Sequence, residues 1–247
     1  YSTDAFAKLS KFEYDNASDE RFGHVNHETR VKNDSIEFKE IKIVSLNHSY
    51  RNRKVLRGVN FEIKRGEIIG MCGESGVGKS TFLDVFAGLR NPDSGEVWID
   101  GEPICWRHLH GFVGYLPQSP VKIDGTVSEN FTFRSNLAES EVAQVADLMR
   151  LVELSDVIQK DLDFEKVLRS PMATLSGGQL QRLAIARLLF HKKTILLMDE
   201  ATTGLDPDLE LRILIKLRKI GISGILVSHN ELTLSRCDRV LRLTSNG

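Results

Sequence analysis

The sequence predicts an α/β domain carrying a helical subdomain. Three observations lead to this. From Ile36 onward, short apolar runs alternate with helical stretches, the pattern of strands linked by helical crossovers. One apolar run stops at a glycine cluster that opens a helix, and another ends in a pair of acids. Between these, from about Ser128 to Leu189, helical periodicity replaces the strand signals.

Taken in order, Ala5, Leu9 and Phe12 recur at i, i+4, i+7 and mark one short amphipathic helix, followed by a polar stretch from Glu13 to Asp34. Two readings stand for residues 1–35: a flexible tail, or a linker from a preceding domain. Ile41 to Leu46 and Val59 to Ile63 alternate as half-buried strands, with a turn-like stretch from Tyr50 to Lys54 between them. Glu67 to Cys72 is an apolar strand, and Ser80 to Leu89 a helix. Asn91 to Gly95 is turn punctuation. Val97 to Ile99 and Phe112 to Leu116 are strands. Val142, Val145, Ala146, Met149 and Val152 form one helical stripe. Ile195 to Met198, Ile222 to Val227 and Val240 to Leu243 are strands, with a helix from about Leu209 to Ile220.

Composition bounds the class. With 247 residues, 41% hydrophobic and 27% charged, the chain can bury a full core as one domain with an appended subdomain. Lys+Arg 33 against Asp+Glu 34 leaves no basic excess, which argues against nucleic acid as a partner. Cys72, Cys105 and Cys237 are odd in number and far apart, so neither a disulfide framework nor a zinc site is expected. No apolar run approaches the ~20 residues that span a bilayer.

Gly73-Glu74-Ser75-Gly76-Val77-Gly78-Lys79-Ser80-Thr81 fits G-x-x-x-x-G-K-[ST], the phosphate-binding loop. Its glycines let backbone N–H groups close on phosphates, and the following helix adds its positive end. Lys79 is expected at the β- and γ-phosphates and the Ser80 hydroxyl on Mg²⁺. Asp199 and Glu200 end an apolar strand, where ligands sit in parallel sheets. Asp199 suits the Mg²⁺ shell, and Glu200 suits the attacking water. Leu175-Ser176-Gly177-Gly178-Gln179 opens another helix and makes a second anion-binding N-terminus. One nucleotide does not need two cradles in one subunit. A second makes sense if it covers the nucleotide of another subunit.

At this point the sequence resembles the nucleotide-binding domain of ATP-binding cassette (ABC) transporters, over Tyr50 to His229. Leu175 to Gln179 matches the signature motif letter for letter, Gly73 to Thr81 the Walker A motif and Ile195 to Glu200 the Walker B motif. Gln118 matches the Q-loop glutamine, a Mg²⁺ and water contact. Asp206 closes the D-loop, His229 matches the H-loop histidine, and Tyr50, 23 residues before Gly73, matches the aromatic that stacks on adenine. In the D-loop, Thr203-Gly204 replaces the usual Ser-Ala.

The resemblance implies a P-loop NTPase core sheet, an N-terminal antiparallel β subdomain and a helical signature subdomain at about 119–190, within a cassette spanning 36–247. It implies ATP and Mg²⁺ as ligands, with Glu200, His229 and Gln118 catalytic. Ser75, Gly76, Gly78, Gly177, Gly178 and Gln179 join the nucleotide contacts. The implied partner is a second nucleotide-binding domain, identical or not.

Ile123-Asp124-Gly125-Thr126-Val127-Ser128-Glu129-Asn130 resembles the exporter form of the stretch after the Q-loop. That branch implies transmembrane domains fused N-terminally and a place on the cytoplasmic face of a membrane. Glu165 to Met172 lacks the glutamate exporters often carry before the signature. Two alternatives stay open: an ATP-gated switch with little hydrolysis, and a soluble ABC ATPase not tied to transport.

Overall fold

A computed structural model describes residues 38–50, 53–119, 125–133, 137–154, 168–169, 175–201 and 204–244. The N-terminal helix and linker expected over 1–35 lie outside the described residues, as do most of Glu165 to Met172 and the D-loop's Thr202-Thr203.

Two sheets organise the described residues. The first is antiparallel, in the order β2-β1-β4-β5, from β1 (Glu40–Tyr50), β2 (Arg53–Lys64), β4 (Ser94–Ile99) and β5 (Glu102–Ile104). The second is parallel, in the order β6-β7-β8-β3-β9, from β3 (Ile68–Cys72), β6 (Val113–Leu116), β7 (Ile195–Asp199), β8 (Ser223–Val227) and β9 (Arg239–Arg242). The helices are α1 (Lys79–Phe86), α2 (Val127–Thr132), α3 (Glu139–Leu151), α4 (Gly177–Phe190), α5 (Pro207–Lys219) and α6 (Glu231–Leu234). A 3-10 turn covers Trp106–Gly111.

The central parallel strands are buried on both faces, and so read as continuous apolar runs. Alternate residues divide the core. Ile195 and Leu197 pack with Phe82, Leu83 and Phe86 of α1 and with the antiparallel sheet. Leu196 and Met198 pack with Leu183, Ala184 and Ile185 of α4 and with Ile213, Leu214 and Leu217 of α5. The phosphate-loop helix and the signature helix therefore lie on opposite faces of one sheet.

The antiparallel sheet docks on α1 through aromatic rings. Phe61 of β2 meets Phe82 edge-on at 5.2 Å and Phe86 at 5.6 Å. Such pairs contribute about 0.5–1.5 kcal/mol each beyond burial.

The structure corrects two local expectations and adds one strand. The Tyr50–Lys54 turn shrinks, because β1 runs to Tyr50 and β2 begins at Arg53, in register with it. The Asn91–Gly95 turn loses Ser94 and Gly95 to β4, where Asn47 pairs with Ser94. Gly95 lies against the backbone of Leu46: a Cβ there would come within 2.7 Å of the Leu46 Cα. Strand β5 has no apolar run of its own and forms by pairing with β4.

Candidate functional site

The expected site residues gather at the C-terminal ends of neighbouring parallel strands. Gly73 follows β3, Glu200 follows β7, His229 lies just beyond β8, and Gln118 lies just beyond β6. Since the order runs β6-β7-β8-β3, these ends form one edge, the place where open α/β sheets bind ligands. Ser228 N–H donates to the Met71 carbonyl at 3.2 Å, tying the stretch before His229 to the phosphate-loop strand.

The loop from Gly73 to Gly78 needs its glycines. Gly76 and Gly78 have φ of 78° and 111°, a region that penalises other residues. A Cβ on Gly78 would lie 2.8 Å from Val55 Cγ1, so β2 presses directly on the loop. Nothing crowds Gly76. Gly78 caps α1 without a side-chain hydrogen bond, which leaves the helix N-terminus for an anion. Lys79 is 8% exposed. Its Nζ donates to the carbonyls of Gly73 at 2.8 Å and Glu74 at 2.9 Å. A buried ammonium held by neutral carbonyls, beside an uncapped helix start, fits a polyanion. Ser75 and Ser80 are exposed, and Thr81 is half-buried.

The acids are held differently. Asp199 Oδ2 accepts the Tyr115 hydroxyl at 2.9 Å. Burial first, and then the Asp199 charge, push the Tyr115 phenol well above its ordinary range, so it remains a donor at neutral pH. Glu200 has φ +53°, a conformation costing a non-glycine residue roughly 1–2 kcal/mol. Its N–H donates to the Val227 carbonyl at 3.1 Å. Its Oε2 accepts Gln118 Nε2 at 3.2 Å, and its Oε1 lies 3.2 Å from His229 Nε2. The strained turn thus delivers the carboxylate between two side chains from flanking strands.

The signature stretch caps α4. Ser176 Oγ accepts Gln179 N–H at 3.3 Å, and Gln179 Oε1 accepts Ser176 N–H at 2.8 Å, a reciprocal capping box. Ser176 and Gly177 are exposed, and Leu175 is half-buried. Gly178 faces the Gly204 carbonyl, and Gly204 faces the Gln181 side chain. Asp206 caps α5, its Oδ1 accepting from Asp208 and Leu209. Tyr50 ends β1 half-exposed, with the Arg90 guanidinium 5.4 Å from its ring centre.

A family model described as ABC transporter matches residues 56–203. The chain belongs to the ABC transporter family. It is 32% identical over 208 residues to an uncharacterized ABC transporter ATP-binding protein, YfiB, of Bacillus subtilis, covering 83% of this chain and 36% of that protein. It is 31% identical over 229 residues to a probable microcin-H47 secretion/processing ATP-binding protein, MchF, of Escherichia coli, covering 88% and 32%. Among solved structures, a bacterial Atm1-family ABC exporter with ATP bound superposes with a TM-score of 0.73 at 28% identity, over 85% of this chain and 38% of that one. The chain spans about a third of the length of those two curated relatives.

Within this ABC domain, the hydrogen bond from Tyr115 to Asp199 is a contact that motif reading missed. The strand register places Tyr115 beside Leu197, two residues before Asp199, and only that pairing reveals the hydrogen bond. Tyr115→Phe is expected to lower folding stability by about 1–2 kcal/mol, since the bond is charge-assisted but partly exposed. Urea unfolding measures this, and an unchanged midpoint would show the bond contributes nothing.

The donor set also fits Mg²⁺: one carboxylate (Asp199), one exposed hydroxyl (Ser80) and the oxygen of Gln118, with water and phosphate completing the shell. Among the described residues no group of three or more His, Cys, Asp or Glu side chains could hold a metal by itself.

Proposed function

We propose that this chain is the ATP-hydrolysing motor domain of an ABC exporter, closing with a second such domain around Mg²⁺-ATP to drive movement of attached membrane domains. The observation that carries this is Glu200 held between Gln118 and His229, on the edge that also bears the phosphate loop. Similarity to the secretion protein and to the exporter structure supports the exporter branch.

In this reading Lys79 and the Gly73–Gly78 N–H groups hold the β- and γ-phosphates, and Tyr50 takes the adenine ring on its exposed face. Mg²⁺, when bound, neutralises phosphate charge. Glu200 accepts a proton from water as its oxygen bonds to the γ-phosphorus and the bridging P–O bond breaks, releasing ADP and phosphate. His229 and Gln118 hold Glu200 and that water in line. Residues 1–35 serve as the linker from a preceding membrane domain.

The exposed start of α4 provides the second half of each composite site. The helix that Ser176, Gly177 and Gly178 open packs on the face of the sheet opposite α1, which supports a role for them at the nucleotide of the other subunit. Ser176→Arg should leave ATP affinity of the monomer within about twofold while hydrolysis falls by about a hundredfold or more. Calorimetry and a phosphate-release assay read the two quantities. Hydrolysis near the wild-type rate would leave Ser176 as a helix cap and nothing else.

A further inference from the structure

We propose that Glu210 and Thr233 are positioning residues, which hold His229 on Glu200 by locking the helix after the D-loop to the helix after His229; this rests on the hydrolysis reading above. Glu210 lies on α5, one turn beyond its cap Asp206, and is 4% exposed. Thr233 lies on α6, four residues beyond His229, and is 6% exposed. Thr233 Oγ1 donates to Glu210 Oε2 at 2.9 Å. Arg236, just past α6, lies 3.7 Å from the same oxygen and also donates to the Pro207 carbonyl at the start of α5. A carboxylate is costly to bury without partners, and both partners here come from the segment that begins at His229.

His229 needs such an anchor. Its side chain is 58% exposed, and its ring meets Glu200 at 3.2 Å. An exposed imidazole is placed mainly by its backbone. That backbone leads into a helix of four residues, too short to hold a position alone. The segment is fixed on one side by Asn230 N–H donating to Ser228 Oγ at 3.0 Å. Below, Leu234 and Cys237 rest over Gly70 of β3, where any side chain would collide with them. On the remaining side stands Glu210. The chain also runs from Glu200 through the D-loop to α5. Besides their own contact and the Glu200 N–H bond to the Val227 carbonyl, Glu200 and His229 are joined through the Glu210–Thr233 bond, and this last link sets the contact of the two side chains.

The test uses Thr233→Val, which keeps shape and removes the hydroxyl, and Thr233→Ser, which restores it. Steady-state ATPase activity and thermal unfolding are measured beside wild type. The expected result for Thr233→Val is a kcat lower by about tenfold with KM for ATP within about twofold, and for Thr233→Ser a kcat within about twofold of wild type. Glu210→Gln, which keeps an acceptor for Thr233 but weakens the hold on Arg236, should fall between them. A Thr233→Val enzyme with lowered unfolding temperature and unchanged kcat would make the bond purely structural and overturn the proposal. A kcat loss that Thr233→Ser does not rescue would also overturn it. Absence of turnover in wild type would instead overturn the hydrolysis reading, and the proposal with it.

Discussion

Glu200→Gln is expected to bind ATP as wild type does and to lose hydrolysis by about a hundredfold or more, the range a positioned general base supplies. The amide keeps the shape of the side chain and can still accept from Gln118 Nε2, 3.2 Å away in wild type. It can also sit at the same +53° turn, because that backbone strain belongs to the position. What it cannot do is take a proton from water. If closure and reopening follow the proposed cycle, ATP-bound dimer should accumulate on size-exclusion chromatography. Turnover within a few fold of wild type would remove Glu200 from the role of base.

Lys79→Ala is expected to weaken ATP binding by about ten- to a hundredfold, the equivalent of losing one charge-assisted contact of roughly 1.5–3 kcal/mol. The variant should still fold. The ammonium is buried beside two neutral carbonyls, so removing it relieves a desolvation cost while giving up two hydrogen bonds. With the Lys79 bonds to Gly73 and Glu74 gone, the loop keeps the backbone turns at Gly76 and Gly78 and the contact with Val55. Calorimetric titration with Mg²⁺-ATP reads the affinity. An unchanged dissociation constant would place the phosphates elsewhere.

The sequence made some of this visible because certain positions tolerate few alternatives. Strands β3, β7 and β8 show as apolar runs because both faces are buried. The phosphate loop shows because its backbone conformation demands glycine at fixed spacing. Glu200, Gln118 and His229 could each be named from motifs. That His229 holds Glu200 follows from its place at a strand end, but the contact of Gln118 with Glu200 depends on strand order and is not in the motifs. The Tyr115–Asp199 bond was hidden for the same reason: it needs the parallel register of β6 on β7. Strand β5 gave no apolar signal, because only Ile104 of its three residues is partly buried. Asp206 closes the D-loop motif, and the structure adds that it caps α5, with Pro207 at the first helical position. Asp-Pro before a helix carries that signal on its own.

In the proposed dimer each nucleotide is shared between two subunits, Lys79 of one and Ser176 of the other. Mixing two inactive variants tests this most directly. Ser176→Arg and Lys79→Ala subunits should each be inactive alone. In a mixed dimer, one composite site carries both defects and the other carries neither. ATPase activity is expected to return on mixing, at up to about a quarter of the wild-type value, given random pairing and one intact site in each mixed dimer. The regained activity should fall faster than in proportion to protein on dilution, because the competent species is a dimer. A mixture as inactive as its two components, at concentrations where mixed dimers form by cross-linking, would contradict the shared site.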